Sequence, residues 1–554
     1  MKKVLSLILA CALLTGCGAR PEETTPGTTA PASVETTAPA EVVKEITGDV
    51  VDILLDGQDI TVSGDGSGVY TSRDIIYYED KDAYDSGNPY GEGEDHERHS
   101  AEEAASHLVV NITAPGNYRL SGKLDLGQIR IDLGESAYSD PSAVVNLILD
   151  GADITCTVGP AILFLNVYEC DGSWSADTAK PDVDTTAAGA NLILAENSKN
   201  IVNGSHVAKI YKDQEGEKKL VKQDGAVYSY MSLNVYGPGA LEINADNEGL
   251  DTQLHLTIWS GDIAILSGND GINTNEDGVS VTAIRGGDLR IVAGLGEEGD
   301  GIDSNGYLVI YGGTVLSAAN PAADAGLDSD LGSFIHGGTV VALGSTMDWA
   351  ESDSDQVTMN LQFAQAQRGD IRILREDGTE VFTFAPAADP VLGLNLRSYQ
   401  GAILSCPDFK VGDTYVVFVD GVQMAYTGTD VMHGPGGFRP GEGGQRPEGG
   451  IGIREDRDPG NIPQPPEGDV QLPPQPTEDM PAVPQGEAPT MPEGEMPTWP
   501  EGEMPTWPEG EMPTWPEGEM PTWPEGQQMP GGQPQTLFFM QDKVNFFTGL
   551  SPVQ

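Results

Sequence analysis

Between residues 50 and 345 the chain alternates short apolar runs with polar corners. Asn146-Leu-Ile-Leu, Asn191-Leu-Ile-Leu, Leu256-Thr-Ile-Trp, Leu289-Arg-Ile-Val, Tyr307-Leu-Val-Ile and Thr339-Val-Val-Ala are rich in β-branched residues and bounded by Gly, Asp and Asn. Such runs predict strands joined by turns. Helical spacing is confined to a turn or two at 100–107. One phrase recurs five times: Asp224-Gly-Ala-Val-Tyr-Ser, Glu248-Gly-Leu-Asp-Thr, Asp270-Gly-Ile-Asn-Thr, Asp300-Gly-Ile-Asp-Ser and Ala325-Gly-Leu-Asp-Ser. Its glycines, at 225, 249, 271, 301 and 326, are 24, 22, 30 and 25 residues apart. The corners Ser260-Gly-Asp-Ile, Gly286-Gly-Asp-Leu, Gly312-Gly-Thr-Val and Gly337-Gly-Thr-Val keep a similar step. Two signals with one period predict one coil per repeat, long enough for about three short strands paired to the next coil at ~4.8 Å. That is the rung of a parallel β-helix. A propeller blade would need ~40–45 residues.

The rest of the chain divides around this solenoid. Residues 1–17 read as a lipoprotein signal: Lys2 and Lys3, an apolar run at 4–14 too short to span a bilayer, then Leu14-Thr15-Gly16-Cys17 as a lipobox. Cys17 is the expected lipidation site, which places the protein on the extracellular face of the cytoplasmic membrane, held there only by its N-terminal lipid. Residues 18–44, rich in Thr, Pro and Ala, read as a disordered tether. The β-helix domain is expected over 45–350, with insertions at 80–107, 171–188 and 209–222. Residues 355–430 read as a small β module or cap, with strands at Ile371-Arg-Ile-Leu, Val381-Phe-Thr-Phe and Tyr415-Val-Val-Phe. Residues 431–535 read as a disordered Pro/Gly/Glu-rich tail, with octapeptides Pro-Glu-Gly-Glu-Met-Pro-Thr-Trp starting at 492, 500, 508 and 516. Residues 536–554 are apolar again, as expected of a segment that docks back on the body or binds a partner.

Charge narrows the function. With 86 Asp and Glu against 29 Lys and Arg, the formal net charge is −57. That field opposes nucleic acid and suits cations, or anionic ligands bridged by a cation. Of five cysteines, Cys11 leaves with the signal and Cys17 carries lipid. Cys156, Cys170 and Cys406 remain, and buried thiols are expected rather than a Cys156–Cys170 bridge.

The recurring phrase carries candidate chemistry. In a strand, residues i and i+2 share a face. If Leu250, Ile272, Ile302 and Leu327 point inward, Asp251, Asn273, Asp303 and Asp328 point outward. Their i+2 neighbours are Gln253, Asn275, Asn305 and Asp330. Stacked carboxylates repel, and a hard cation with many oxygen ligands relieves that repulsion. The expected calcium ligands are therefore Asp251, Asp270, Asn273, Asn275, Asp300, Asp303, Asn305, Asp328 and Asp330. Turn capping by Asx side chains, without metal, is the alternative. An EF-hand is excluded, because Asn273-x-Asn275-x-Asp277-Gly278 lacks its closing Glu.

Asn146-Leu-Ile-Leu-Asp-Gly-Ala-Asp-Ile, Asp224-Gly-Ala-Val-Tyr-Ser with Leu233-Asn-Val-Tyr-Gly-Pro-Gly-Ala-Leu, and Asp300-Gly-Ile-Asp-Ser-Asn-Gly with Ile310-Tyr-Gly-Gly-Thr-Val carry a resemblance. Over residues 45–345 the chain resembles the secreted carbohydrate-binding domain proteins of clostridia. The resemblance implies a right-handed parallel β-helix that holds calcium and binds cellulose or pectic polygalacturonate. The chain departs from that pattern in its charged insertion, its octapeptides and its last repeat, where Asp324-Ala325-Gly326 sets the acid one residue further from the glycine.

The expected function is a non-catalytic, monomeric, cell-surface polysaccharide binder for plant cell-wall glycans. A structural surface protein or adhesin is one alternative. A calcium-dependent enzyme is another, since calcium on a β-helix resembles pectate lyases; Arg285 or Arg290 would then abstract the proton. His96-Glu-Arg-His99 has two histidines but no third zinc ligand. Trp174, Trp259 and Trp349 are candidate sugar platforms, with burial an equal expectation for Trp259.

Overall fold

The short runs form strands stacked on one another through their own repeats. The computed structural model describes residues 44–79, 91–172, 175–211, 219–345, 349–429 and 534–553. The lipobox with Cys17, nearly all of the tether, Trp174 and the octapeptides lie outside the described residues. Within them the protein is all-β with almost no helix. The expected turn of helix is present as Ala101–Ser106, started by Ser100, whose Oγ accepts the Glu103 N–H at 3.1 Å.

Three ladders of parallel strands carry the repeats. The first runs through Leu108–Ile112, Gly127–Asp132, Ile162–Asn166, Gly225–Ser229, Glu248–Thr252, Ile272–Thr274, Ile302–Ser304 and Asp328–Ser329. The second runs through Val145–Thr155, Ala190–Leu194, Leu233–Tyr236, Leu256–Ile258, Val281–Ile284, Tyr307–Ile310 and Gly332–Ile335. The third contains Lys199–Gly204, Ala240–Ala245, Asp262–Ser267, Asp288–Val292, Thr314–Ala318 and Thr339–Gly344. One repeat visits each ladder once. Gly225–Ser229 leads to Leu233–Tyr236, then to Ala240–Ala245, and the chain returns to the first ladder at Glu248–Thr252.

The register explains the phrase. Leu250 pairs with Ile272 and Ile272 with Ile302, so the same aliphatic position meets itself on each coil. Leu250, Ile272, Ile302 and Leu327 are fully buried in one core with Ile265 and Ile291 of the third ladder and Ile258 and Ile284 of the second. No strand could bury such a face alone; each is covered by the other two sides of its coil. The phrase glycine is required by close approach. A Cβ on Gly271 would lie 2.2 Å from Ile291 Cγ2 and 2.5 Å from the Gly301 carbonyl oxygen.

Both ends of the ladders turn antiparallel, which protects open strand edges. Val69–Ser72 pairs antiparallel with the first ladder's Leu108–Ile112. At the far end Tyr399–Ser405 pairs antiparallel with Thr339–Gly344. Beyond it, Ile371–Arg375, Glu380–Phe384, Thr414–Val419 and Val422–Ala425 form hairpins over a second core. The last strand, Val544–Pro552, docks here. It pairs parallel with Thr358–Gln367 and antiparallel with Val422–Ala425, and Phe538, Met540, Phe547 and Leu550 fill the same core. Tyr426 and Gln535 exchange two backbone hydrogen bonds of 2.9 Å, so the chain leaves and re-enters this core at one point.

The insertion expected at 209–222 contributes two paired strands on either side of residues 212–218, which lie outside the described residues. Val207–Tyr211 and Lys219–Gln223 pair antiparallel, with Gly91–Glu92 as a third strand. Its alternation is short and rich in lysine, which hides a strand among charges. His206 anchors it: Nε2 lies 2.9 Å from Glu97 and Nδ1 3.1 Å from Asp246. Burial pulls the His206 pKa down, but the hydrogen bonds it donates to Asp246 and Glu97 more than offset this and raise it to about 10. The imidazolium therefore clamps the hairpin root to the body and to the charged insertion. Cys156, Cys170 and Cys406 are unpaired thiols, and burial pushes Cys156 up to about 12.

Candidate metal centre

The first ladder stacks two polar rows beside its buried aliphatic row. Asp251 pairs with Asn273, Asn273 with Asp303 and Asp303 with Asp328. The residues preceding the phrase glycines, Asp224, Glu248, Asp270 and Asp300, form the other row. The expectation that these side chains face solvent needs correction: Asp251 is 0% exposed, Asp303 2% and Asn273 5%. They lie off the aliphatic core, yet hydrogen bonds between successive coils and, at one end, the hairpin close over them.

At that end three carboxylates converge. Asp224, Glu248 and Asp251 each place an oxygen within 4.8 Å of the other two, the one such group among the described residues. All three are buried. Glu248 Oε1 accepts from Asn273 Nδ2 at 3.1 Å, and Asp251 Oδ1 accepts from Asn275 Nδ2. Their other oxygens, Glu248 Oε2 and Asp251 Oδ2, together with Asn273 Oδ1, are buried without a hydrogen-bond partner. Burial, then the Asp251 and Asp224 charges, pushes Glu248 well above the usual carboxylate range. Burial, then Asp224, does the same to Asp251. One cation meets the group: Lys222, at the end of the hairpin, sets Nζ 2.6 Å from Asp224 Oδ2.

Unpaired buried oxygens on a group of carboxylates are costly unless a cation satisfies them. Every donor here is oxygen, which suits a hard ion such as calcium or magnesium and not zinc. Asp224, Glu248, Asp251 and Asn273 therefore fit a calcium ion by donor chemistry, and all but Asp224 also by an orphaned oxygen. Asp251 and Asn273 were in the expected ligand set, and Asp224 and Glu248 were not. Both occupy the first position of the phrase, as Asp270 and Asp300 do, so the repeat itself held the signal.

Further along the ladder the same positions are used differently. Asp270 Oδ1 accepts the Asp300 N–H at 2.7 Å, and Asp300 Oδ1 accepts the Ala325 N–H at 2.7 Å. Each acid thus caps the backbone of the next coil. Asp324, displaced by one residue in the last repeat, turns to accept the Gly299 N–H at 2.8 Å. Burial, then the Asp270, Asp328 and Asp303 charges, raises Asp300 well above its usual range, so these acids are close neighbours. Asn305 donates to the Asn275 carbonyl and to Asp277, at 2.9 and 3.0 Å. Asp330 sits on the next turn, its N–H bonded to Ser304 O.

The two arginines considered for proton abstraction stand on other ladders and are engaged. Arg285 lies over the rings of Tyr311 and Trp259, at 4.3 and 5.2 Å, and donates to Asp182 at 3.0 Å. Arg290 pairs with Asp262 and lies 3.8 Å from Asp389. Trp259 is half-buried, stacked on Tyr236 at 5.7 Å, with its Nε1 donating to Asn234. On the outer face of the second ladder the half-exposed rings of Tyr307, Phe334, Tyr311 and His336 form a chain of contacts 5.4–6.3 Å apart. Trp349 packs edge-on against Phe546 of the last strand. Of the two histidines in His96-Glu-Arg-His99, His99 is bonded to Glu103 at 3.2 Å, and the carboxylate group contains no histidine.

Comparison with known proteins finds similarity to carbohydrate-binding domain-containing proteins. Residues 106–377 match the family model of carbohydrate-binding domain-containing proteins. A carbohydrate-binding domain-containing protein of Acetivibrio thermocellus is 30% identical over 163 residues, which is 29% of this chain. The match spans 46%, about half, of that relative's length. A solved structure of a polysaccharide lyase-like protein from C. thermocellum, a gadolinium derivative, aligns with 20% identity and a TM-score of 0.33. It covers 55% of this chain and 94% of that one.

Proposed function

We propose that this protein binds polysaccharide without cleaving it, as a lipid-anchored, monomeric protein on the outer face of the cytoplasmic membrane. Its body is a right-handed parallel β-helix, a hand supported by three parallel ladders visited in rotation and the strong right-handed bias of parallel crossovers. Calcium held by Asp224, Glu248, Asp251 and Asn273 stiffens the middle of the solenoid. Cellulose and pectic polygalacturonate are the proposed ligands.

One observation favours a binder over a lyase. The carboxylate group is 0–6% exposed, so an ion there could not touch a polymer. A metal that activates a substrate must contact it. Arg285 and Arg290, on other ladders, are held by carboxylates. The glycan is placed instead along the half-exposed rings of Tyr307, Tyr311, Phe334 and His336, since a sugar's C–H face packs on aromatic surface.

The test is retention of the intact protein on polygalacturonate and on cellulose, with and without chelator, alongside ultraviolet absorbance for unsaturated products. Retention without new absorbance is expected, weakened at least tenfold by Tyr311→Ala with Phe334→Ala. Absence of retention on every glycan would sink the binding reading. Appearance of unsaturated products would replace it with the lyase.

A further inference from the structure

The carboxylate group has a cation of its own, tethered by the hairpin. Lys222 Nζ stands 2.6 Å from Asp224 Oδ2. Calcium binds carboxylate oxygen at about 2.3–2.6 Å. An ion on the same Asp224 oxygen would thus lie within about 5 Å of the ammonium, and the two positive charges would repel strongly beneath the surface. Lys222 is also the accessible member of the group: its side chain is 35% exposed, against 9% for Asp224.

The amount of positive charge present does not match the need. Three acids and one lysine leave the group short of cations, and Glu248 Oε2, Asp251 Oδ2 and Asn273 Oδ1 still lack partners. The lysine pairs with Asp224 and leaves those three oxygens unpaired. Its stem is fixed by strand Lys219–Gln223, whose partner strand starts beside the His206 clamp. The ammonium is therefore held near the group, yet it can swing outward on its own flexible stem.

We propose that Lys222 is a built-in competitor for the metal, occupying the Asp224 side of the site until a divalent cation displaces it into solvent. This rests on the calcium reading above. It makes the affinity of the site a property of the hairpin as well as of the ladder. The site is then weaker than its carboxylates alone would make it, and a monovalent ion cannot displace the tethered charge as a divalent one does.

Titration of the intact protein tests this, using calcium by calorimetry and terbium(III) by luminescence sensitised by Tyr228 and Tyr230, whose rings lie 5.1 Å apart beside the group. Lys222→Met should bind calcium at least tenfold more tightly than the parent, and Lys222→Arg should stay near the parent affinity. Equal or weaker binding by Lys222→Met, with circular dichroism showing a folded protein, would overturn the competitor role. Tenfold tighter binding by Lys222→Arg would overturn it as well, and that variant keeps the charge should Lys222→Met fail to fold. If no variant binds either ion, the calcium reading itself fails, and Lys222 is the resident counter-ion of the group.

Discussion

The two ends of the acidic ladder use one phrase for opposite purposes. Around Asp270 and Asp300 each carboxylate reaches the backbone N–H of the next coil, and side-chain charge becomes part of the strand ladder. Around Glu248 and Asp251 oxygens are left without donors. Part of the difference is one methylene. Glu248 extends past the backbone and meets the amide of Asn273, where Asp270 and Asp300 stop short and cap an N–H. The hairpin then closes over the uncapped end with a lysine. A repeat can thus build a stiff capped segment and an ion-demanding one from nearly identical coils.

The largest effect that can break this comparison acts through the hairpin. His206 has an ordinary pKa of 6.5 and is held at about 10 in the folded protein. A raised folded pKa contributes stability that is complete below pH 6.5 and is lost as pH rises through about 10. The fall is on the order of 5 kcal/mol at most, from about 1.4 kcal/mol per unit. Denaturant unfolding in saturating calcium across that window should show it, and His206→Gln should flatten it. Next in size is metal removal. At a calcium concentration one hundred times Kd, chelator should cost ~2.7 kcal/mol of stability. Asp251→Asn should abolish that difference and Asp300→Asn should preserve it in paired thermal melts. If Asp300→Asn abolishes it, the ion sits at the capped end.

Asp300→Ala leaves the buried Ala325 N–H without its acceptor and should cost ~1–3 kcal/mol, the same with calcium and with chelator. A cost seen only in calcium would reassign Asp300 as a ligand. The smallest effect belongs to Asn305, whose amide joins Asn275 and Asp277. Asn305→Ala should lose ~1 kcal/mol and leave calcium affinity unchanged by calorimetry.

Much of the coil was legible in the sequence because its rule is local. Leu250, Ile272, Ile302 and Leu327 fall inward by strand alternation, and all four are fully buried. The all-β class follows from the same pattern. Burial of the outward row has no local signal, because the side chains that cover it, such as Asn273 on Glu248 and Asn275 on Asp251, come from separate coils. The convergence of Asp224 and Glu248 on Asp251 depends on how successive coils stack, which the phrase alone does not reveal. The pairing of Thr358 with Val544 has no local signature at all, since its partners lie far apart in the chain.

That last pairing bears on how the protein is made. The second core contains Phe538, Met540, Phe547 and Leu550, so it stays incomplete until residues 538–550 have been synthesised. A chain stopped before residue 536 can wind every coil, yet it leaves the Thr358–Gln367 strand without its outer neighbour and a bare apolar face beside it. Such faces are recognised by chaperones and proteases. The closing strand thus ties completion of the second core to synthesis of the chain through residue 550.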